Sequence, residues 1–240
     1  MTKKLNVLLV TVLGLFAAVC VFAEEPEFSV RPGEQNTLRV KIKENVEPNT
    51  AEVEFGKLGD MNTAKPKGIV FIASAPPGLN NVTLCGAIKV SGQNDTVHII
   101  NYGALNLITP GYCLSAKLND GKFYLNLLMV GLPDGKDGRY CIIFSKEKTF
   151  NSGDWIFFTV VINRAGKAEI FVNGELVGGA LVKSLEKDNM TVANATTMIG
   201  FGLPSKDGSL ELANMEVYYS LLSSVDIDKL KDKWLAILKK

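Results

Sequence analysis

From residue 82 onward the chain is cut into short apolar runs, each about the length of a strand and each closed by Gly, Pro, Asn or Asp. The runs fall at residues 82–90, 96–101, 112–118, 122–130, 139–145, 155–163, 168–172, 198–201 and 210–219. Upstream, residues 38–42 read Leu-Arg-Val-Lys-Ile, the period-two alternation of a strand buried on one face. Residues 53–55 and 69–73 are further strands, with a polar loop over 57–68 between them. Asn119-Asp120-Gly121 and Asn173-Gly174 supply the residues that accept positive φ in tight hairpins. Many short strands at this interval, with almost no helical period, predict an all-β sandwich or barrel.

The C-terminus departs from this rhythm. Ile227, Leu230, Trp234, Ile237 and Leu238 share one helical face, with Lys231, Lys233, Lys239 and Lys240 mostly off it. Ser224 is the expected N-cap, and Asp226 and Asp228 stand in the first turn, where the helix dipole favours acid. Such a helix packs on the sandwich, or else meets a membrane surface or a partner.

The opposite end predicts export. Lys3 and Lys4 precede an apolar run from Leu5 to Ala23, which gives way to Glu24-Glu25-Pro26. A basic start, a short apolar stretch and a small residue at the boundary describe a secretory signal peptide over residues 1–23. Cleavage there leaves a secreted chain, extracellular or periplasmic, with no membrane span. An uncleaved anchor is the alternative, and Cys20 raises a lipid anchor that the bulky Val19 before it opposes. Residues 24–240 suffice for one domain with a core. Two of the 26 basic residues lie in the signal, leaving 24 against 25 acidic, of which only Arg31, Arg39, Arg139 and Arg164 are arginine. That balance lacks the positive field a phosphate backbone selects, so nucleic acid is not an expected partner. Cys85, Cys113 and Cys141 permit at most one internal disulfide. They lie within strand runs without an adjacent zinc-type partner, which reads as small buried residues.

The most informative stretch is a hairpin. Gly153-Asp154-Trp155 opens one strand, the chain turns around Ala165-Gly166, and Asn173-Gly174 closes the next. Other segments follow in order: 82–89, the hairpin 120–125, Met198-Ile199-Gly200, the strand 209–218, and the tail 221–230. Together they resemble the laminin-G-like (LamG), concanavalin A-like lectin/glucanase domains over residues 82–230. The resemblance implies a jelly-roll β-sandwich, here with a C-terminal amphipathic helix, as a single LamG-like domain over 24–240. It also makes Trp155 a core residue and calcium a common cofactor. Candidate oxygen ligands are Asp134 and Asp137, with Asp207 elsewhere, although Asp-Gly pairs also serve simply as turns.

The residues offer little catalytic machinery. His98 is the only histidine, so any nucleophile–His pair has to use it; its strand setting reads as packed or surface. Glycosidases on related sandwiches pair two carboxylates across a groove. Glu52 and Glu54 alternate, but Glu211 and Glu216 are five apart and so point to opposite faces of an ideal strand. Strand parity instead suggests a binding face. If 112–118, 122–130 and 139–145 are neighbours, Lys117, Tyr124, Asn126 and Arg139 share one exposed sheet surface, with Tyr102 in the 101–106 loop as a second candidate. The expected function is a non-catalytic, exported module binding carbohydrate or glycoconjugate. A structural or adhesive module with a protein partner is the alternative, and a glycoside hydrolase stands behind both.

Overall fold

The chain is described from a computed structural model covering residues 26, 28–32, 38–42, 45–49, 53–58, 60–66, 70–72, 77–104, 109–132, 139–145, 148–190, 197–200 and 208–238. The signal segment 1–23 lies outside them. In chain order the strands are β1 (Phe28–Pro32), β2 (Leu38–Ile42), β3 (Asn45–Asn49), β4 (Val53–Leu58), β5 (Met61–Pro66) and β6 (Val70–Ile72). Next come β7 (Val82–Ser91), β8 (Asp95–Tyr102), β9 (Gly111–Asn119), β10 (Lys122–Gly131), β11 (Arg139–Phe144) and β12 (Phe150–Asn151). The series ends with β13 (Trp155–Ile162), β14 (Lys167–Val172), β15 (Glu175–Leu181), β16 (Thr197–Ile199), β17 (Ser209–Tyr218) and the helix α1 (Ser224–Leu238).

They form two antiparallel sheets and one C-terminal helix, an all-β sandwich. The first sheet runs β15-β14-β13-β7-β17-β1-β2-β3, with β5 also on β17 and β4 on β5. The second runs β11-β10-β9-β8-β16-β6, with β12 on β10. Alternation explains the layers. In β10, Phe123, Leu125, Leu127 and Met129 are buried while Lys122, Tyr124 and Asn126 are not. From the first sheet Leu84, Ile88, Phe158 and Val160 face the same core, so each strand contributes every second side chain.

The predicted hairpins have the expected turn chemistry. Asp120 (φ 52°) with Gly121 (φ 72°), and Asn173 (φ 52°) with Gly174 (φ 84°), both place two residues at positive φ. Gly111 is required for another reason: a Cβ there would stand 1.8 Å from the carbonyl oxygen of Tyr102.

The structure corrects several expectations. Within the expected loop over 57–68 lie the end of β4 and all of β5, whose polar-looking sequence Met-Asn-Thr-Ala-Lys-Pro pairs along its length with β4. Strands β1 and β15 were not among the predicted runs: β1 is the short Phe-Ser-Val-Arg-Pro, and the Gly178-Gly179 pair splits the apolar residues of β15. The helix cap is Ser223 rather than Ser224: its Oγ accepts the Asp226 N–H at 3.1 Å and donates to Asp226 Oδ2 at 2.6 Å. The helix lies on the outward face of the first sheet, where Trp234 closes over Cys85, Ala87, Phe157 and Ala213. Trp155 is half-buried on that outward face, with Lys89 Nζ 5.3 Å from its ring centroid.

One end of the sandwich is tied by a buried guanidinium. Arg164, 2% exposed, donates to the carbonyls of Gly78 (2.8 Å), Leu185 (2.6 Å) and Asp188. The carbonyls of Gly78 and Leu185 each also accept a backbone N–H, from Met190 and Asp188, so the guanidinium fills a second acceptor site on each and ties the three segments together. Arg164→Met should cost about 3 kcal/mol of unfolding free energy, because these charge-assisted hydrogen bonds are lost from a buried site. Urea unfolding monitored by tryptophan fluorescence checks this; an unchanged midpoint would refute the clamp.

Candidate functional site

The helix covers one outward face of the sandwich, which leaves the outward face of the second sheet as the broad strand surface to consider. Register decides what stands on it. Thr96, Lys117 and Tyr124 are directly opposite one another on β8, β9 and β10. The next row is His98, Ser115, Asn126 and Phe144, reaching β11. Facing residues in such rows have Cβ atoms about 4.5–5.5 Å apart, so each row is a continuous strip of side chains. Tyr124 and Phe144 meet edge to face with centroids 6.2 Å apart. The Asn126 amide lies 3.5 Å from Ser115 Oγ.

Three of the residues expected here are therefore together: Lys117, Tyr124 and Asn126. Two are elsewhere. Arg139 is paired with Gly131, which has the parity of the buried Met129 and not that of Tyr124. Its guanidinium turns to Asp188, Nε donating to Oδ2 at 3.0 Å and Nη2 to Oδ1 at 2.5 Å, and Asp188 is 1% exposed. Tyr102 is buried and stacks on Tyr112, centroids 6.0 Å apart, inside the core. Asp134, Asp137 and Asp207 lie outside the described residues. Among the described residues no three His, Cys, Asp or Glu side chains converge as a metal group would require.

Phe144 and His98 are the additions. An apolar residue such as Phe144 reads as core, and only its register opposite Asn126 shows that it faces out. His98 keeps the outward parity of Thr96, two residues before it, and the β-bulge that follows between His98 and Ile100 leaves Ile99 unpaired. Beyond the bulge the parity is reversed, so His98 and Asn101 both point outward despite being three apart. They flank Cys113, with His98 Nδ1 3.1 Å from its Sγ and Asn101 as its register partner. Nucleophile and base are thus adjacent, but burial works against ion formation. It pushes the Cys113 thiol up to about 11, against a smaller opposing effect of the Asn101 hydrogen bond. It also lowers the imidazole, against the pull of Asp95. Both groups stay neutral near pH 7, so the pair is a packed hydrogen bond rather than a thiolate–imidazolium couple.

A bulge in β17 bears on the hydrolase alternative. It falls between Leu212 and Asn214, so Glu211 and Glu216 point to the same outward face of the first sheet, contrary to their parity. Their partners on β7 are Lys89 and Cys85. Four residues at about 3.3 Å each put the two glutamates roughly 13 Å apart along the strand. Glycosidase pairs stand about 5–9 Å apart, so this is not one. Each is also engaged: Glu211 by Lys89 and Thr63, Glu216 by Asn214 and Tyr218, the last two at 2.9 Å.

No protein-family model and no characterised protein matches the sequence. Solved structures do match the fold. The binding domain of botulinum neurotoxin serotype C1 overlays with a TM-score of 0.62 at 16% identity, over 87% of this chain and 52% of that one. The serotype G binding domain gives 0.62 at 12% identity, over 88% and 51%. The serotype D ligand-binding domain, solved in complex with N-acetylneuraminic acid, gives 0.57 at 18% identity, over 87% and 51%. The likeness is one of fold. The chain spans about half the length of these binding domains.

The His98 setting has a measurable consequence. Its folded pKa lies below the ordinary 6.5, so as pH falls the unfolded state takes up the proton first. Stability is therefore full above pH 6.5 and is lost as pH falls from there towards the folded value. Cys113 acts on the alkaline side, where stability is lost between its ordinary 9.0 and about 11. Urea titrations against pH should show His98→Gln flattening the acid limb and Cys113→Ala reducing the alkaline one. Unchanged slopes in both variants would contradict the assignment.

Proposed function

We propose that the chain is an exported, non-catalytic module that binds a carbohydrate or glycoconjugate on the outward face of β8–β11. The observation that carries this reading is the pair of rows across β8–β11. They set an aromatic step, Tyr124 on Phe144, among hydroxyl, amide, imidazole and ammonium groups from Thr96, Asn126, His98 and Lys117, with the buried Ser115 beneath Asn126. A sugar needs that combination, an aromatic face for its C–H surface and paired donors and acceptors for its hydroxyls. Fold neighbours support the ligand class. One is a neurotoxin binding domain in complex with N-acetylneuraminic acid, one is in complex with SialylT, and for a third cell entry depends on interaction with two ganglioside molecules. Those descriptions concern domains about twice as long as the matching region, so the present assignment rests on the sheet face itself. The laminin-G-like character of residues 82–230 and the export signal belong to the same proposal.

The test is a glycan array probed with the purified chain, with sialylated and neutral arms, in calcium and in chelator. Specific binding is expected, and it should survive chelation, because the described residues of this face include no carboxylate. Tyr124→Ala and Lys117→Ala should each weaken binding about tenfold or more, roughly the 1.4 kcal/mol of one contact in a small site. Arg139→Ala should behave differently, leaving affinity intact while lowering stability by about 2–3 kcal/mol, since it strands the buried Asp188 carboxylate. Binding that is indifferent to Tyr124 and Lys117 would remove the ligand from this face.

A further inference from the structure

Among the described residues the open strand margins of the two sheets are not equally guarded. On the first sheet β3 carries Pro48 in mid-strand, which cannot donate to a further ladder, and on the second β6 is three residues long. β15 has neither protection. Seven residues long, Glu-Leu-Val-Gly-Gly-Ala-Leu, it contains no lysine and no proline, and among the described residues it pairs only with β14. An open groove of about 1040 Å³ runs along it, lined by Phe144, Lys148, Leu176, Gly178, Gly179 and Leu181. Phe144, Leu176 and Leu181 are exposed by 40, 53 and 74%, a concentration of apolar surface on one strand margin.

The local geometry leaves the margin open. Gly178 has the inward parity of its partner Ile170, and a Cβ there would meet the Phe144 carbonyl oxygen at 2.9 Å. The opposite sheet therefore lies beneath β15, not beside it. A bulge at residues 170–171 then shifts the register, so that Leu176 faces Phe171 and Leu181 faces Lys167. Both leucines point outward although they are five apart.

We propose that β15 pairs antiparallel with β15 of a second copy of this chain, joining the two first sheets into one continuous sheet. Pairing centred on Gly179 opposite the partner's Gly179, with Val177 left out of the ladder as the bulged residue, sets Leu176 opposite the partner's Leu181, and by symmetry this apolar contact occurs twice. Glu175 is already ion-paired with Lys148 of its own chain, so that end of the seam carries no uncompensated acid against the pairing. A parallel arrangement would lose the leucine contact. Two copies joined in this way carry two β8–β11 faces, which gives a clustered ligand a bivalent partner.

Sedimentation velocity of the purified chain at high micromolar concentration is the first measurement, and a dimer is expected. Leu176→Lys and Leu181→Lys alter exposed side chains, so both variants should retain the wild-type circular dichroism and unfolding midpoint while sedimenting as monomers. For the register, a mixture of Leu176→Cys and Leu181→Cys chains should form a crosslinked heterodimer faster than either variant forms its own homodimer. A monomeric wild type would overturn the proposal and leave the margin to a strand of some other protein. A dimer that persists in both lysine variants, or crosslinks no faster in the mixture, would equally overturn it. These outcomes are read without any glycan and stand apart from the ligand assignment.

Discussion

A pleated strand has two faces, and in this sandwich the opposing sheet closes one of them for nearly every strand. That constraint sorts the side chains. Every residue of inward parity on β7, β10 and β13 must be apolar or absent, and the sequence complies with Leu84, Gly86, Ile88, Phe123, Leu125, Phe158 and Val160. Everything else, including any ligand surface, is what the outward parity has left. Because register follows parity, a one-residue slip of β9 against β10 would turn Lys117 into the core and Leu114 and Leu118 out of it. Burial of the inward set therefore also holds the outward rows in place.

The two outward faces have different fates. On the first sheet α1 makes a second, smaller apolar layer over Phe157 and Ala213, and it buries polar groups with it. Glu216 survives there because Asn214 and Tyr218 both donate to its carboxylate. On the second sheet no described helix intervenes, and Thr96, His98, Lys117, Tyr124, Asn126 and Phe144 keep at least partial solvent access while Ser115 is buried among them. The end of the molecule near residues 183–188 is held by charge as well as by the buried Val182, Leu185 and Met190. Arg164 collects loop carbonyls, and Arg139 neutralises Asp188. An arginine used in this way is unavailable to a ligand, which explains why Arg139 reads as a site residue from its sequence and is a structural one in the fold.

Much of the architecture was legible residue by residue. The alternation in 38–42 became β2 with the same bounds, Asn119-Asp120-Gly121 and Asn173-Gly174 became hairpin turns, and the 227–238 periodicity became α1. The failures share one cause: a strand can be formed by pairing with little apolar signal of its own. β5 is held by β4 without a hydrophobic run, and β15 by β14 across the Asn-Gly turn although Gly178-Gly179 splits its apolar residues. At the candidate site, parity correctly joined Lys117, Tyr124 and Asn126. It misplaced Arg139, because the gap between β10 and β11 hides which residue of one strand meets which of the other. It also missed Phe144, since nothing in its own chemistry says outward.

The sequence by itself determined the strand-and-turn rhythm, the terminal amphipathic helix and the residue types available for binding, because these depend on local periodicity and on φ preferences carried by single residues. Only the tertiary structure decided which side chains share a surface. Three bulges, in β8, β15 and β17, each insert one residue and reverse the parity beyond it. His98 with Asn101, Leu176 with Leu181, and Glu211 with Glu216 were brought to common faces by those insertions. A bulge is a relation between two paired strands, and no property of one strand read alone contains it.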